Sequence, residues 1–272
     1  MIQKRFKNWS PARGAERKLS AWPVGLLLAA AGMLVSSGYS YSAEPAKAAK
    51  PIKVLLVTGA EYHNWRETAP VLAAQLHKDP RMDVRVVEDA HFLDSEAVGR
   101  YDVILLNYMN WQEPAPGEAA RENLRKTIAG GKGLVLVHFA CGAWRDHADV
   151  NKLAWPEFQN LAGRVWDPKL RGHDPHGKFL VEIAMPDHPI TKGMQPFETV
   201  DELYTCLTGD RPIEVLATAR SKVDGKIYPM AFCFHYEKGR VFHCVLGHDG
   251  KALQPEPVGE LFRRGTAWAA GK

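Results

Sequence analysis

The stretch Gly133-Leu134-Val135-Leu136-Val137-His138-Phe139-Ala140-Cys141-Gly142 constrains the fold of this chain most tightly. A glycine turn launches four apolar, partly β-branched residues, the pattern of a strand buried on both faces in a parallel sheet. The strand then stops on a histidine followed by small residues. In open α/β sheets ligands gather outside the carboxyl ends of the strands. An imidazole placed there has two readings: a satisfied structural histidine, or a group positioned for chemistry.

Strand and helix patterns alternate through the first half of the chain. Apolar runs at 52–58, 83–88, 101–107 and 133–138 read as strands. Helical stretches lie between Trp65 and about Lys78 and from Pro116 to Ala129. Strands separated by helices of this length imply right-handed crossovers and a parallel sheet. The second half differs: 178–184, 202–207, 213–219, 228–236 and 240–246 are closely spaced β-runs, at least partly antiparallel, before a closing helix at about 257–269. The expected fold is α/β, a three-layer sandwich with a mostly parallel central sheet and extra antiparallel strands in the C-terminal half.

Residues 1–43 have the make-up of a secretory signal peptide. Six Lys/Arg precede a twelve-residue apolar core, Val24 to Val35, and small residues lead to Ser42 and Ala43. A membrane span needs about 20 apolar residues, so cleavage is the first reading and an uncleaved anchor the second. The chain is therefore expected to be exported, periplasmic or extracellular. Residues 44–51 read as a linker, and 52–272 suit one α/β domain. The segment 1–43 holds six Lys/Arg and one Glu, a net of +5, so the whole-chain +4 leaves the remainder at −1. The basic balance thus belongs to the targeting segment and is no argument for nucleic acid.

All four cysteines, Cys141, Cys206, Cys233 and Cys244, lie beyond the signal. Residues 232–245 read as a hairpin, and a two-residue loop at Lys238-Gly239 would set Cys233 opposite Cys244. A cross-strand disulfide and a pair of small buried hydrophobes are both open readings.

Polar clusters follow several of the predicted strands. Gly59 through Trp65 carries His63, Asn64 and Trp65. Asn64 is either a site donor or a helix cap, and Trp65 either core or a platform for a sugar ring. Asn107 to Trp111 adds amides and aromatics. His138 is followed by Cys141 and Trp144, and the loop Arg171-Gly172-His173-Asp174-Pro175-His176 holds two histidines. The last strand runs into Gly247-His248-Asp249. Three converging neutral imidazoles would suit zinc or another divalent metal. Alternatively His138 or His248 acts as general acid/base with Glu202 orienting it. A thiol mechanism through Cys141 is the weaker option, because a nucleophile elbow puts the reactive residue at the turn itself, where His138 stands.

Taken together these landmarks resemble the ThuA-like family, named for trehalose utilisation, which has the fold of class I glutamine amidotransferases. The matching residues are Val57-Thr58-Gly59 with His63-Asn64-Trp65, the strand ending in His138, Gly172-His173, Asp187 to Gly193, Asp201-Glu202-Leu203-Tyr204, and Gly239 to Phe242 leading to Leu246-Gly247-His248-Asp249. They run in order over nearly all of the chain after the signal. Amidotransferases carry cysteine at the strand-four elbow; with His138 there, the resemblance implies a protein that does not hydrolyse glutamine. It also implies a small-molecule carbohydrate as partner, since relatives are linked to disaccharides and their 3-keto derivatives. Phe232 stands where relatives often carry tryptophan. The expected function is an exported sugar-processing protein with His138, His248 and Glu202 catalytic and with His63, Asn64, Trp65, Trp144 and His176 binding substrate. The reading from another class is a non-catalytic carbohydrate-binding or scaffold protein of the cell envelope. Oligomeric state is not readable from the sequence.

Overall fold

The computed structural model describes residues 50–60 and 62–272. The expected signal peptide and most of the expected linker lie outside them. In chain order the elements are β1 (Ile52–Val57), α1 (Trp65–His77), β2 (Met82–Val87), β3 (Val103–Leu106), α2 (Glu118–Ala129), β4 (Gly133–Val137), β5 (Arg145–Asp146), β6 (Asp149–Leu153), α3 (Glu157–Ala162), β7 (Val165–Trp166), β8 (Gly177–Ile183), β9 (Phe197–Asp201), β10 (Leu207–Thr208), β11 (Glu214–Arg220), β12 (Ile227–Tyr236), β13 (Gly239–Cys244), α4 (Gly250–Leu253) and α5 (Glu256–Ala269).

Nine of the strands form one sheet in the order β2-β1-β3-β4-β13-β12-β11-β8-β9. The first five pair in parallel, and the remaining neighbours pair antiparallel. Following those pairings across the sheet, only β12 and β8 run against the rest. The carboxyl end of the far edge strand β9 therefore lies along the same rim as those of β1, β4 and β13.

Both faces of the sheet are covered, which is why its central strands are apolar without interruption. Ile52, Val54 and Leu56 of β1 join one core cluster, and Leu55 and Val57 join the other. Strand β4 divides in the same way, with Val135 and Val137 against Leu134 and Leu136. On the first face Leu72 and Leu76 of α1 pack with Val258, Leu261 and Phe262 of α5. On the second, Leu124 and Ile128 of α2 pack with Phe158 and Leu161 of α3. The result is the expected three-layer α/β sandwich. No helix among the described residues is long and apolar enough to cross a membrane.

Two local expectations are corrected. The run 202–207 is not one strand; β9 ends at Asp201, β10 begins only at Leu207, and Tyr204 between them makes a single bridge to His173. Phe197, Thr199 and Asp201 are buried while Glu198 and Val200 are exposed, an alternation that ends on the charged pair rather than beginning there. The β12–β13 hairpin pairs Tyr236 with Gly239, so its two-residue loop is Glu237-Lys238. That register sets Cys233 opposite Phe242 and Cys244 opposite Ala231. None of the four cysteines forms a disulfide, and all are buried.

Candidate functional site

Strand β4 delivers His138 to the rim in a strained conformation. The chain turns from Val137 straight into a 3-10 helix, His138–Gly142, and His138 takes φ +46°. A non-glycine residue there costs about 1–2 kcal/mol, so the surroundings must hold it. They do so at both ring nitrogens. His138 Nδ1 lies 2.7 Å from the Val245 carbonyl oxygen, and Tyr204 Oη lies 2.8 Å from Nε2. A carbonyl only accepts, so Nδ1 carries a proton, and Nε2 faces the site within hydrogen-bond reach of the Tyr204 hydroxyl. This is the arrangement by which a backbone acceptor fixes the tautomer of a metal-binding or basic histidine.

Around Nε2 the other strand ends contribute their groups. Gly59 turns the chain after β1 at φ +110°, where a Cβ would lie 2.0 Å from the Glu88 carbonyl oxygen. Only glycine fits, and the loop it starts carries His63. The turn after β13 carries His248. The residue after β9 is Glu202, whose Oε2 lies 3.2 Å from His248 Nδ1, 3.6 Å from His138 Nε2 and 3.8 Å from His63 Nε2. Its second oxygen lies 3.5 Å from His173 Nε2. The donor atoms of His63, His138, Glu202 and His248 all fall within 4.8 Å of one another.

Asp201 anchors the carboxylate beside it. Buried in full, it accepts the amide N–H groups of Gly247 at 2.7 Å, Glu202 at 2.8 Å and His248 at 3.2 Å. These bonds tie the end of β9 to the end of β13. Burial raises the Asp201 carboxyl above its ordinary value, against the charge of His138 and the three amides. Burial also works to raise Glu202, but the imidazoles of His138, His248 and His63 gathered around it outweigh that and hold the carboxyl far below the usual range. The same contact with Glu202 raises His248 above an ordinary histidine, against its partial burial.

The donor set fits a divalent metal. Three imidazoles and one carboxylate are ligand types used by catalytic zinc, at distances of about 2.0–2.2 Å, so the four groups need only close inward. His248 Nδ1 supports the fit: it is buried and near Glu202, yet aligned in no hydrogen bond.

Aromatic rings wall the cluster on one side. Phe139 packs against His63 at 5.5 Å between centroids, against Trp111 at 4.9 Å and against Trp166 at 4.9 Å, and Trp166 reaches Tyr204 at 5.0 Å. Half-buried Trp111 and Trp166, rather than the two tryptophans expected from sequence, stand beside the site.

His63, His138, Glu202 and His248 thus come together as expected. His176 reaches the margin, exposed and 5.0 Å from the His248 ring. Trp144 does not line the site. At φ +54° its indole turns inward and is fully buried among Tyr108, Trp155 and Phe158. Asn64 is exposed and caps α1 through its backbone carbonyl, which accepts from Glu67 and Thr68, with no side-chain cap. Trp65 is half-buried beneath the Arg66 guanidinium, in a small cavity of about 110 Å³ with Gly59, Met109 and Gln112. Cys141 is buried three residues past the elbow. His173, Asp201 and Tyr204 complete the site without having been singled out, although each sits in a run whose neighbours were.

Comparison with known proteins accords with this geometry. The family model for ThuA, described as trehalose utilisation, matches residues 53–269. The chain belongs to the ThuA family. That membership carries a carbohydrate-related role and suggests a small-molecule sugar as ligand. A ThuA-like protein from Parabacteroides merdae shares 26% identity at a TM-score of 0.70, over 82% of this chain and 91% of that one. One from Bacteroides uniformis shares 20% at 0.63, over 84% and 95%. A cytoplasmic protein from Salmonella typhimurium shares the fold at 16% identity and a TM-score of 0.59, over 80% and 99%. No curated protein matches the chain.

Proposed function

We propose that this ThuA-family chain is an exported sugar-processing enzyme that acts on a disaccharide or 3-keto-glycoside by histidine acid/base chemistry. One observation carries the reading: three imidazoles from three strand ends face a single carboxylate oxygen, Glu202 Oε2. A packing role needs no such convergence, and pairs of titratable groups with opposed shifts are the mark of acid/base sites.

A keto group at C3 acidifies the C2–H bond. His138 Nε2 takes that proton, with Tyr204 as its hydrogen-bonding neighbour. The electron pair moves into the enolate and then expels the C1 oxygen. His248, whose protonated form Glu202 favours, gives that oxygen its proton, so the elimination balances without an oxidant. Developing charge on the keto oxygen is met by the imidazolium side of the cluster.

The convergence of these four donor atoms within 4.8 Å favours a second use of the same atoms. His63, His138, His248 and Glu202 would hold a divalent ion such as zinc, which when bound supplies Lewis-acid polarisation of a carbonyl. Proton transfer would then fall to His173 and Tyr204, which stand next to the donor set.

The test is to incubate the purified protein with trehalose, other disaccharides and their 3-keto forms, with and without chelator, and to follow products by mass spectrometry. His138→Ala is expected to lose about 10²- to 10⁴-fold in turnover. Full turnover by that variant removes His138 from the mechanism. Sugar binding without product from any substrate establishes the carbohydrate-binding protein instead. Activity lost to chelator and restored by one metal selects the metal-assisted form.

A further inference from the structure

Beside His248 the rim opens into a cleft of about 370 Å³, within the range of small-molecule sites. It adjoins the histidine cluster through His176. His176 lines it with its ring tilted against that of His248 at 5.0 Å between centroids, and the ligating atoms of His176, His248 and Asp249 lie within 4.8 Å of one another. We infer that this cleft receives the second sugar ring of a disaccharide, the unit that leaves when the bond at the cluster breaks. This rests on the sugar-processing reading above and adds where the leaving unit sits.

The lining has the chemistry of a pyranose site. One wall is apolar: Val200, 51% exposed although a large aliphatic residue, and half-buried Pro255. A pyranose offers a matching C–H face. The opposite requirement, a hydrogen-bonding edge, is also met. Thr199 lines the cleft at 3% exposure, and its hydroxyl has no hydrogen-bond partner among the described residues. A buried polar group left unmatched costs about 1–3 kcal/mol, a cost that a ligand hydroxyl would remove. His176 and Asp249 supply further donors and acceptors at the rim.

Charge argues for a neutral ligand. The lining carries Lys178 and Lys251 against Glu198 and Asp249, and Lys178 is already paired with Glu198 at 2.6 Å. No net positive charge is left to favour a phosphate, whereas a polyol is suited to a rim of mixed sign. Position agrees as well. His248 belongs to the cluster and His176 to the cleft, and their rings lie 5.0 Å apart.

Thr199→Val keeps the shape and removes only the unpartnered hydroxyl. Val200→Asp places a charge on an exposed wall of the cleft without touching the core. Affinity for trehalose and for methyl α-D-glucopyranoside, which lacks the second ring, is measured by calorimetry on the full protein and both variants. Each variant is expected to reduce the preference for trehalose over the methyl glucoside about three- to tenfold, the loss of one hydrogen bond or its equivalent. If wild type binds both sugars and the variants keep its preference, the subsite is refuted while the sugar-processing reading stands. If wild type binds neither trehalose nor the methyl glucoside, nor the 3-keto form of either, both fall together.

Discussion

His243 provides a way to read the packing of the sheet through pH. It lies on β13, fully buried, with Nδ1 donating to the Ala162 carbonyl at 3.0 Å and Nε2 without a partner. Burial, with the nearby Arg164 charge adding to it, lowers its pKa from 6.5 to about 4. The unfolded chain then takes up a proton near pH 6.5 that the folded chain refuses until near pH 4. Stability is complete above 6.5 and falls as pH is lowered through that window. At about 1.4 kcal/mol per pH unit, the gap amounts to about 3 kcal/mol. For a domain of this size that is about 6–12 °C in Tm. His243→Gln keeps an N–H for Ala162 and cannot titrate. Urea unfolding of both proteins at pH 7, 5.5 and 4 isolates this residue, because every other ionisation is shared. Wild type is expected to lose about 3 kcal/mol more than the variant between pH 7 and pH 4. Parallel losses would falsify the assignment of His243 as a buried neutral base.

Three further outcomes follow from the geometry. Gly59→Ala drives a Cβ to within 2.0 Å of the Glu88 carbonyl oxygen at φ +110°; a loss of about 3 kcal/mol or more is expected in chemical denaturation, and a neutral result would show that the loop carrying His63 can move. Asp201→Asn turns an amide N–H toward one of the three backbone N–H groups now accepted; a loss of about 1–3 kcal/mol is expected, and unchanged thermal unfolding would refute the anchoring role. The four cysteines are buried, with Cys206, Cys233 and Cys244 pushed up to about 12 by burial. A thiol reagent should therefore be silent on the native protein and titrate all four in denaturant; rapid native reaction of any thiol would contradict their burial.

Strands β1, β3 and β4 were legible because a strand covered on both faces leaves an unbroken apolar run, and His138, at the end of one, was legible with them. The amphipathic pattern of α5 and the Gly59 turn were readable for similar local reasons. Strand β9 was not, because its inward residues include Thr199 and Asp201. A carboxylate that ends up buried beneath the amides of Gly247 and His248 looks, in one dimension, like a solvated strand start. The hairpin register turned on whether the loop was Glu237-Lys238 or Lys238-Gly239, and a shift of one loop position moves Cys233 two places from Cys244. Trp144 and Trp166 are equally aromatic in sequence; backbone angle and tertiary packing decide which is core and which borders the site. His173 and His176 lie three residues apart in one loop, and only the bridge to Tyr204 turns His173 toward Glu202.

The Asp201–Gly247 and Asp201–His248 bonds bear on how the chain acquires its function during folding. Strand β9 lies at the opposite edge of the sheet from β2, four places beyond β13, yet it delivers the carboxylate that the histidines share. These bonds span 46 and 47 residues, and a loop of that length must close before they are rewarded. Without β9 seated at its edge, the histidines at the ends of β4 and β13 would have no common carboxylate. The carboxylate and the histidines meet only where the antiparallel half of the sheet is tied to the parallel half, so the intact cluster reports that the two halves are joined.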